Sequence, residues 1–262
     1  DGHVDNLVRM VGEGVIAIPV ASGTDDPNAA VYEDARARAR DFGLQVRDVP
    51  SPGFVGEDDE AEPASYMNFA ICNGVVVVPT YGSPHDADAV LVINPETTST
   101  LDTTSIAGLG DGGAKWAGGV LANNGLIYGI PYSATFVLII DPNTDTIDTT
   151  TLGGLSPDPS KWWGGVVVPD GRIFCIPRSS DSVLILSPAT GAFDATTMPV
   201  SPVEQKWSGG VLAMDGRAVG FPYQSDAVLI IDPATNAVDT TTLTGAGSGP
   251  AKHVAGVLAG NG

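Results

Sequence analysis

His3 and Asp5 stand two residues apart in the opening phrase DGHVDN, which the chain never repeats. Residues two apart on a strand face the same side. An imidazole and a carboxylate at this spacing can therefore point together into one pocket, where they could move a proton and hold a cation. Read alone, such a pair at a chain end is most often exposed surface. Cys72 and Cys175 are the thiols. They lie far apart, with no CxxC or Cys/His clustering, so neither a zinc site nor a disulfide framework is indicated. Neither has the neighbours that would make a thiolate, and two buried free thiols are expected. Trp116, Trp162 and Trp207 recur, each behind a lysine (Lys115, Lys161, Lys206), as does Asp148-Thr149-Thr150 at Asp239-Thr240-Thr241. The tryptophans could line an aromatic cage, but a residue present in every unit is usually part of how units stack. Packing is the expectation for them and for the lysines. The Asp-Thr-Thr series could bind an ion; a solvated outer strand is expected instead.

The elements that must position these residues are set out by an internal repeat. Lys115-Trp116, Lys161-Trp162, Lys206-Trp207 and the weaker Lys252-His253 recur at steps of 46, 45 and 46. Each full unit holds a Gly-Gly pair before an apolar run (Gly118-Gly119, Gly164-Gly165, Gly209-Gly210), then a turn pair, Asn124-Gly125, Asp170-Gly171 or Asp215-Gly216. Such pairs between apolar runs predict a type I′ hairpin, whose two central residues need positive φ. A second run (126–131, 173–177, 218–222) leads through a polar turn to a third, at 137–140 in the first unit. Asp141-Pro142, Ser187-Pro188 and Asp232-Pro233 end the third run, since proline cannot donate to a sheet ladder. A fourth run rich in β-branched residues is expected at 147–152, 193–198 and 238–243. Four short strands in about 45 residues is the pattern of a β-propeller blade. The Gly-Gly pair then fits innermost strands that crowd where a Cβ would limit close approach. The units resemble YVTN and kelch-like propeller repeats, most clearly in VLIIDPATN at 228–236.

Residues 1–90 follow a different pattern. VRMVGEGVIAIPV (8–20) predicts a strand hairpin around a turn at Gly12 to Gly14. Alanines spaced among charges predict a helix over 27–42, with Asp26 as N-cap, Pro27 at the first helical position and Gly43 after the end. A strand is expected at 44–49, an acidic loop at 56–63, and two strands around Asn73-Gly74.

DGHVDNLVRMV, TDDPN, ASYMNFAICNGVVVVPTYG and SPHDADAV, in this order over 1–90, resemble the C-terminal half of the agmatine deiminase and bacterial-type peptidylarginine deiminase family. The resemblance implies the α/β propeller of guanidine-modifying enzymes and hydrolysis of a guanidine C–N bond. Agmatine or peptidyl-arginine would be the substrate, and no cofactor or metal would be needed. It makes His3 the general acid/base and Asp5 one carboxylate that grips the guanidinium. The family's nucleophilic cysteine, in a GGGxxHC motif, and its second binding carboxylate are not in this sequence, so half a site is expected and no activity in isolation. The alternative is a non-catalytic module whose propeller offers a protein or glycan surface.

The expected fold class is mainly β: a partial α/β deiminase segment at 1–88, then propeller repeats at 89–262. These comprise a hybrid blade to 114, full blades at 115–160, 161–205 and 206–251, and the start of another. SYMNFAICNGVVVVP also lays over WSGGVLAMDGRAVGFP, so the last deiminase-like strands double as the first two of a blade. Thirty-one acidic against twelve basic residues give a net charge of -19, which repels phosphate backbones and suits a guanidinium or amine. No apolar run nears the roughly 20 residues that span a bilayer, so neither nucleic acid nor membrane is an expected partner. The chain begins at Asp1 without Met or a secretory signal and stops partway through a repeat, so both ends read as cut from something longer. A cytoplasmic location is favoured.

Overall fold

Alternating apolar runs broken by glycine-bearing turns give one mixed sheet followed by antiparallel sheets in the computed structural model. The structure describes residues 9–12, 14–21, 23, 26, 28–51, 70–72, 75–79, 90–93, 101–102, 106–110, 113–247, 249, 252–253 and 256. The chain divides into two compact units, Asp1–Gly113 and Ala114–Gly262.

In the first unit, β1 (Arg9–Gly12) and β2 (Val15–Val20) form an antiparallel hairpin. Helix α1 (Ala29–Asp41) then crosses to β3 (Gln45–Pro50), which runs parallel to β2. Tyr32 and Ala39 pack on Ile16 and Ile18 and bury one helix face against the sheet. Arg36, on the same face, is buried, but it donates to the Pro19 carbonyl at 3.1 Å and to Asp48 at 2.9 Å, so its charge is partnered. The helix starts later than the sequence predicts. Asn28, not Asp26, is the N-cap, the first helical residue is Ala29, and Pro27 lies outside the described residues. Asp26 instead accepts the Asn28 N–H at 2.9 Å, turning the chain one step before the helix. At the other end Gly43 adopts φ +75 and donates to Arg40 O, while Leu44 donates to Ala39 O. That pair of bonds is a Schellman stop, which needs the left-handed conformation glycine supplies.

A four-stranded antiparallel sheet follows, made of β4 (Ala70–Cys72), β5 (Val75–Pro79), β6 (Val90–Ile93) and β7 (Leu101–Asp102) in that order. Val77 on β5 is registered with Val92 on β6, so strands from either side of Asp88 share one ladder.

The second unit holds three more sheets of the same kind. They are β8 (Trp116–Leu121) to β11 (Thr146–Asp148), β12 (Trp162–Val167) to β15 (Ala192–Asp194), and β16 (Trp207–Leu212) to β19 (Ala237–Asp239). Their second and third strands are β9 (Ile127–Pro131) and β10 (Leu138–Asp141), β13 (Ile173–Pro177) and β14 (Leu184–Ser187), and β17 (Ala218–Pro222) and β18 (Leu229–Asp232). Each sheet is a meander of neighbours, as in a propeller blade.

The first hairpin of each blade is not type I′. Only the glycine of each turn pair has positive φ. Gly125 N–H bonds Ala122 O, and Ala122 N–H bonds Leu126 O, closing a three-residue loop. The blades at Gly171 and Gly216 close in the same way. A tight turn followed by one left-handed glycine satisfies the twist of the flanking strands as a primed turn would. The fourth strands are also shorter than expected and end at Asp148, Asp194 and Asp239.

Buried side chains join consecutive sheets. Ile130, Leu152, Trp162, Ile173 and Leu184 make one cluster, and Phe174, Ile176, Trp207, Leu229 and Ile231 make another. The Gly-Gly pairs mark where first strands meet. A Cβ on Gly118 would stand 3.3 Å from Gly164 Cα, and one on Gly164 would stand 3.0 Å from Gly209 Cα. Each of these glycines lies in a bulge between the Trp and the second Gly of its strand, with φ of +86, +73 and +67.

Candidate functional site

His3 and Asp5 lie outside the described residues. The described elements that follow them directly in sequence are β1, β2, α1 and β3. Of the thiols, Cys72 is in β4 with its side chain outside the described set, and Cys175 on β13 is fully buried in a blade core. Burial pushes the Cys175 thiol far up, away from thiolate. Among the described residues no group of His, Cys, Asp or Glu could hold a metal ion. No helix among them is long and apolar enough to cross a membrane.

The repeated Lys-Trp pair clamps blade to blade. Lys161 N–H bonds Tyr132 O of the preceding blade at 2.8 Å, Lys206 N–H bonds Arg178 O at 2.7 Å, and Lys252 N–H bonds Tyr223 O at 2.9 Å. The Lys161 carbonyl accepts three successive amides, from Arg178, Ser179 and Ser180, and Lys206 does the same for 223–225. The side chains are also held by the backbone. Lys206 Nζ donates to Ser180 O at 2.8 Å and Val203 O at 2.6 Å, and Lys161 Nζ donates to Asp158 O at 2.8 Å. Desolvation lowers both ammonium groups, Lys206 to about 8, against the opposing pull of Asp181; Asp158 opposes in the same way at Lys161. Trp116, Trp162 and Trp207 each give their indole N–H to a carbonyl of their own blade, and the last two are buried. These residues therefore stack blades.

The Asp-Thr-Thr series forms a turn, not an outer strand. Asp148 Oδ1 accepts the amides of Thr150 at 2.7 Å and Thr151 at 3.0 Å, and both threonine hydroxyls close onto the same carboxylate. Asp194 and Asp239 repeat the arrangement. The hydroxyl and amide donors hold all three carboxyls low, Asp194 at about 2. The carboxylate is thus occupied by its own turn.

The blades differ from one another at two adjoining positions. After the repeated Trp come Ala117, Trp163 and Ser208; after the Pro that ends the second strand come Tyr132, Arg178 and Tyr223. Trp162 is registered with Pro177 across β12 and β13, so both positions lie at one end of the blade. Arg178 is 6% exposed, with its guanidinium carbon 4.4 Å from the Trp163 ring centre and 4.0 Å from that of Tyr223. Tyr132 meets Trp163 edge-on at 5.5 Å and accepts a hydrogen bond from Ser160 Oγ at 2.7 Å. Four side chains from three blades thus form one stack. Arg178 Nε and Nη1 are buried without a hydrogen-bond partner among the described residues. A groove of about 620 Å³ is lined by sequence neighbours of this stack, among them Asp158, Lys161, Ser179, Asp181 and Glu204, but not by Trp163, Arg178 or Tyr223 themselves. Neither Trp163 nor Arg178 stands out when the repeat is read for sameness. The signal was KWWGG against KWAGG and KWSGG, and IPR against IPY and FPY.

Residues 1–103 match the sequence model of the Porphyromonas-type peptidyl-arginine deiminases. The agmatine deiminase of Pseudomonas putida is 30% identical over 117 residues, covering 36% of this chain and 32% of its own length. That of Stutzerimonas stutzeri is 32% identical over the same shares. The chain thus spans about a third of these relatives. Virginiamycin B lyase from Staphylococcus aureus, a β-propeller, superposes with a TM-score of 0.50 at 15% identity, covering 65% of this chain and 53% of the lyase; the likeness is one of fold. This chain therefore joins a segment similar in sequence to the agmatine and Porphyromonas-type peptidyl-arginine deiminases to four-stranded β-propeller blades.

Proposed function

We propose that residues 1–103 supply part of a guanidine-binding and hydrolysing site, and that the chain alone does not complete the reaction. The observation that carries this reading is the match of residues 1–103 to the deiminase family, with His3 and Asp5 inside it. Asp5 grips the planar cation through charge-assisted hydrogen bonds, and His3 passes a proton to the nitrogen that leaves as ammonia. The guanidinium carbon must also be attacked by a thiolate. Cys175, sealed in a blade core with its thiol held protonated, is unsuited to that role. Incubation with agmatine or a peptidyl-arginine should release no ammonia above the blank, and turnover abolished by His3→Ala would refute the inactivity.

A second reading is favoured by the break in the repeat at Trp163 and Arg178: the propeller is a non-catalytic binding module. In that case a specific partner is retained by the full chain and lost when 115–262 are deleted.

A further inference from the structure

The geometry points to Arg178, walled by Trp163 and Tyr223, as the anchor of a binding site for a small monocarboxylate on the propeller. The argument starts from what a buried guanidinium needs. Arg178 is a permanent cation with five N–H donors, yet Nε and Nη1 are sealed from solvent with no hydrogen-bond partner among the described residues. The two aromatic faces at 4.4 and 4.0 Å offset part of the charge. A ring face accepts no conventional in-plane hydrogen bond, so the planar fork of the guanidinium is left unmatched.

Comparison with the other buried cations of the same chain sharpens the point. Arg36 has a carbonyl and two carboxylates. Lys161 and Lys206 end on backbone carbonyls, as does the half-buried Lys252. Arg178 departs from this rule at a position where its repeat counterparts are tyrosines, and so does Trp163, where the counterparts are alanine and serine. Residues that every blade shares hold the blades together; here the shared device is complete without Arg178, because the clamp uses only its backbone.

A carboxylate fits the unmatched fork. Its two oxygens lie in one plane at the spacing of two guanidinium N–H groups, and the pair is strong once water is excluded. Trp163 and Tyr223 are themselves half-buried, so both rings reach the surface. The chain carries a net charge of -19, and Asp158, Asp181 and Glu204 line the groove formed by sequence neighbours of the stack. Such a field penalises a second negative charge on the ligand, which favours a monocarboxylate over a phosphate dianion. The exposed parts of the two rings would cover an apolar or aromatic ligand body. This inference rests on the second reading above and not on guanidine chemistry.

The test is a titration of the full 262-residue chain with benzoate, acetate and inorganic phosphate at low ionic strength, followed by the Arg178 Nε–H nitrogen-15 resonance and by tryptophan emission. Benzoate should shift the Arg178 signal saturably and acetate more weakly, and Arg178→Gln should lower benzoate affinity at least about tenfold, roughly 1.4 kcal/mol. The wild-type resonance reads the site even if the variant unfolds. Absence of a saturable carboxylate shift in the wild type, an undiminished affinity in folded Arg178→Gln, or tighter binding of phosphate than of benzoate would each overturn the assignment. A failed titration alongside a partner still retained through 115–262 would remove this site and leave the binding-module reading standing.

Discussion

Two kinds of buried cation make the residue scale instructive. Lys206 has backbone oxygens around its ammonium yet is still held down to about 8, because lost hydration outweighs what the carbonyls and Asp181 return. Its unfolded counterpart titrates near 10.5. Between those two values the unfolded chain binds the extra proton, so the stability this position contributes rises with pH across the window. The gap in urea midpoint between wild type and Lys206→Met should therefore move in favour of the wild type from pH 7.5 to 10.5. A flat gap would place the lysine in water. The packing role of Lys161, Trp162, Lys206 and Trp207 was legible in the sequence, since a residue in every unit answers to stacking. Trp163 and Arg178 were not, because their meaning lies in departing from the repeat and in a sandwich of side chains drawn from two blades.

At the scale of elements, the first strands touch through backbone. Gly164 combines φ +73 with a neighbour, Gly209 Cα, that stands 3.0 Å from where a Cβ would sit and cannot rotate away. Gly154 has φ +86 but open space around it. Alanine at either position meets left-handed strain of about 1–2 kcal/mol, and only at Gly164 must two strands also move apart. Gly164→Ala should consequently destabilise the protein by at least about 1 kcal/mol more than Gly154→Ala. Chemical denaturation of the two variants measures this, and equal losses would mean that the strands are not in contact there. The hairpins, the crossover helix and the third strands could all be placed from turn residues and apolar periodicity. The hairpin type and the length of the fourth strands could not. Asn-Gly and Asp-Gly serve both two-residue and three-residue loops, and threonine suits a strand as well as the hydroxyl-lined turn that Asp148, Asp194 and Asp239 organise.

On the scale of the whole molecule, a phrase that occurs once precedes a phrase that recurs. The phrase VVVVP and the following VLVI, which belong to the two patterns, pair as β5 and β6. The overlay of SYMNFAICNGVVVVP on WSGGVLAMDGRAVGFP makes the last deiminase-like strands the first two of a blade, and β4 to β7 lie in one four-stranded sheet. The shared blade residues described above are committed either to stacking blades, as Lys161, Trp162, Lys206 and Trp207 are, or to their own turns, as Asp148, Asp194 and Asp239 are. The proposed guanidine chemistry rests on the opening segment, where the sequence likeness to deiminases lies, and the one thiol described in full, Cys175, is locked in a blade core. The decisive measurement is ammonia release from agmatine by the purified 262-residue chain under reducing conditions at neutral pH. This account predicts a rate equal to that of the buffer. A catalytic rate that disappears in His3→Ala would contradict it.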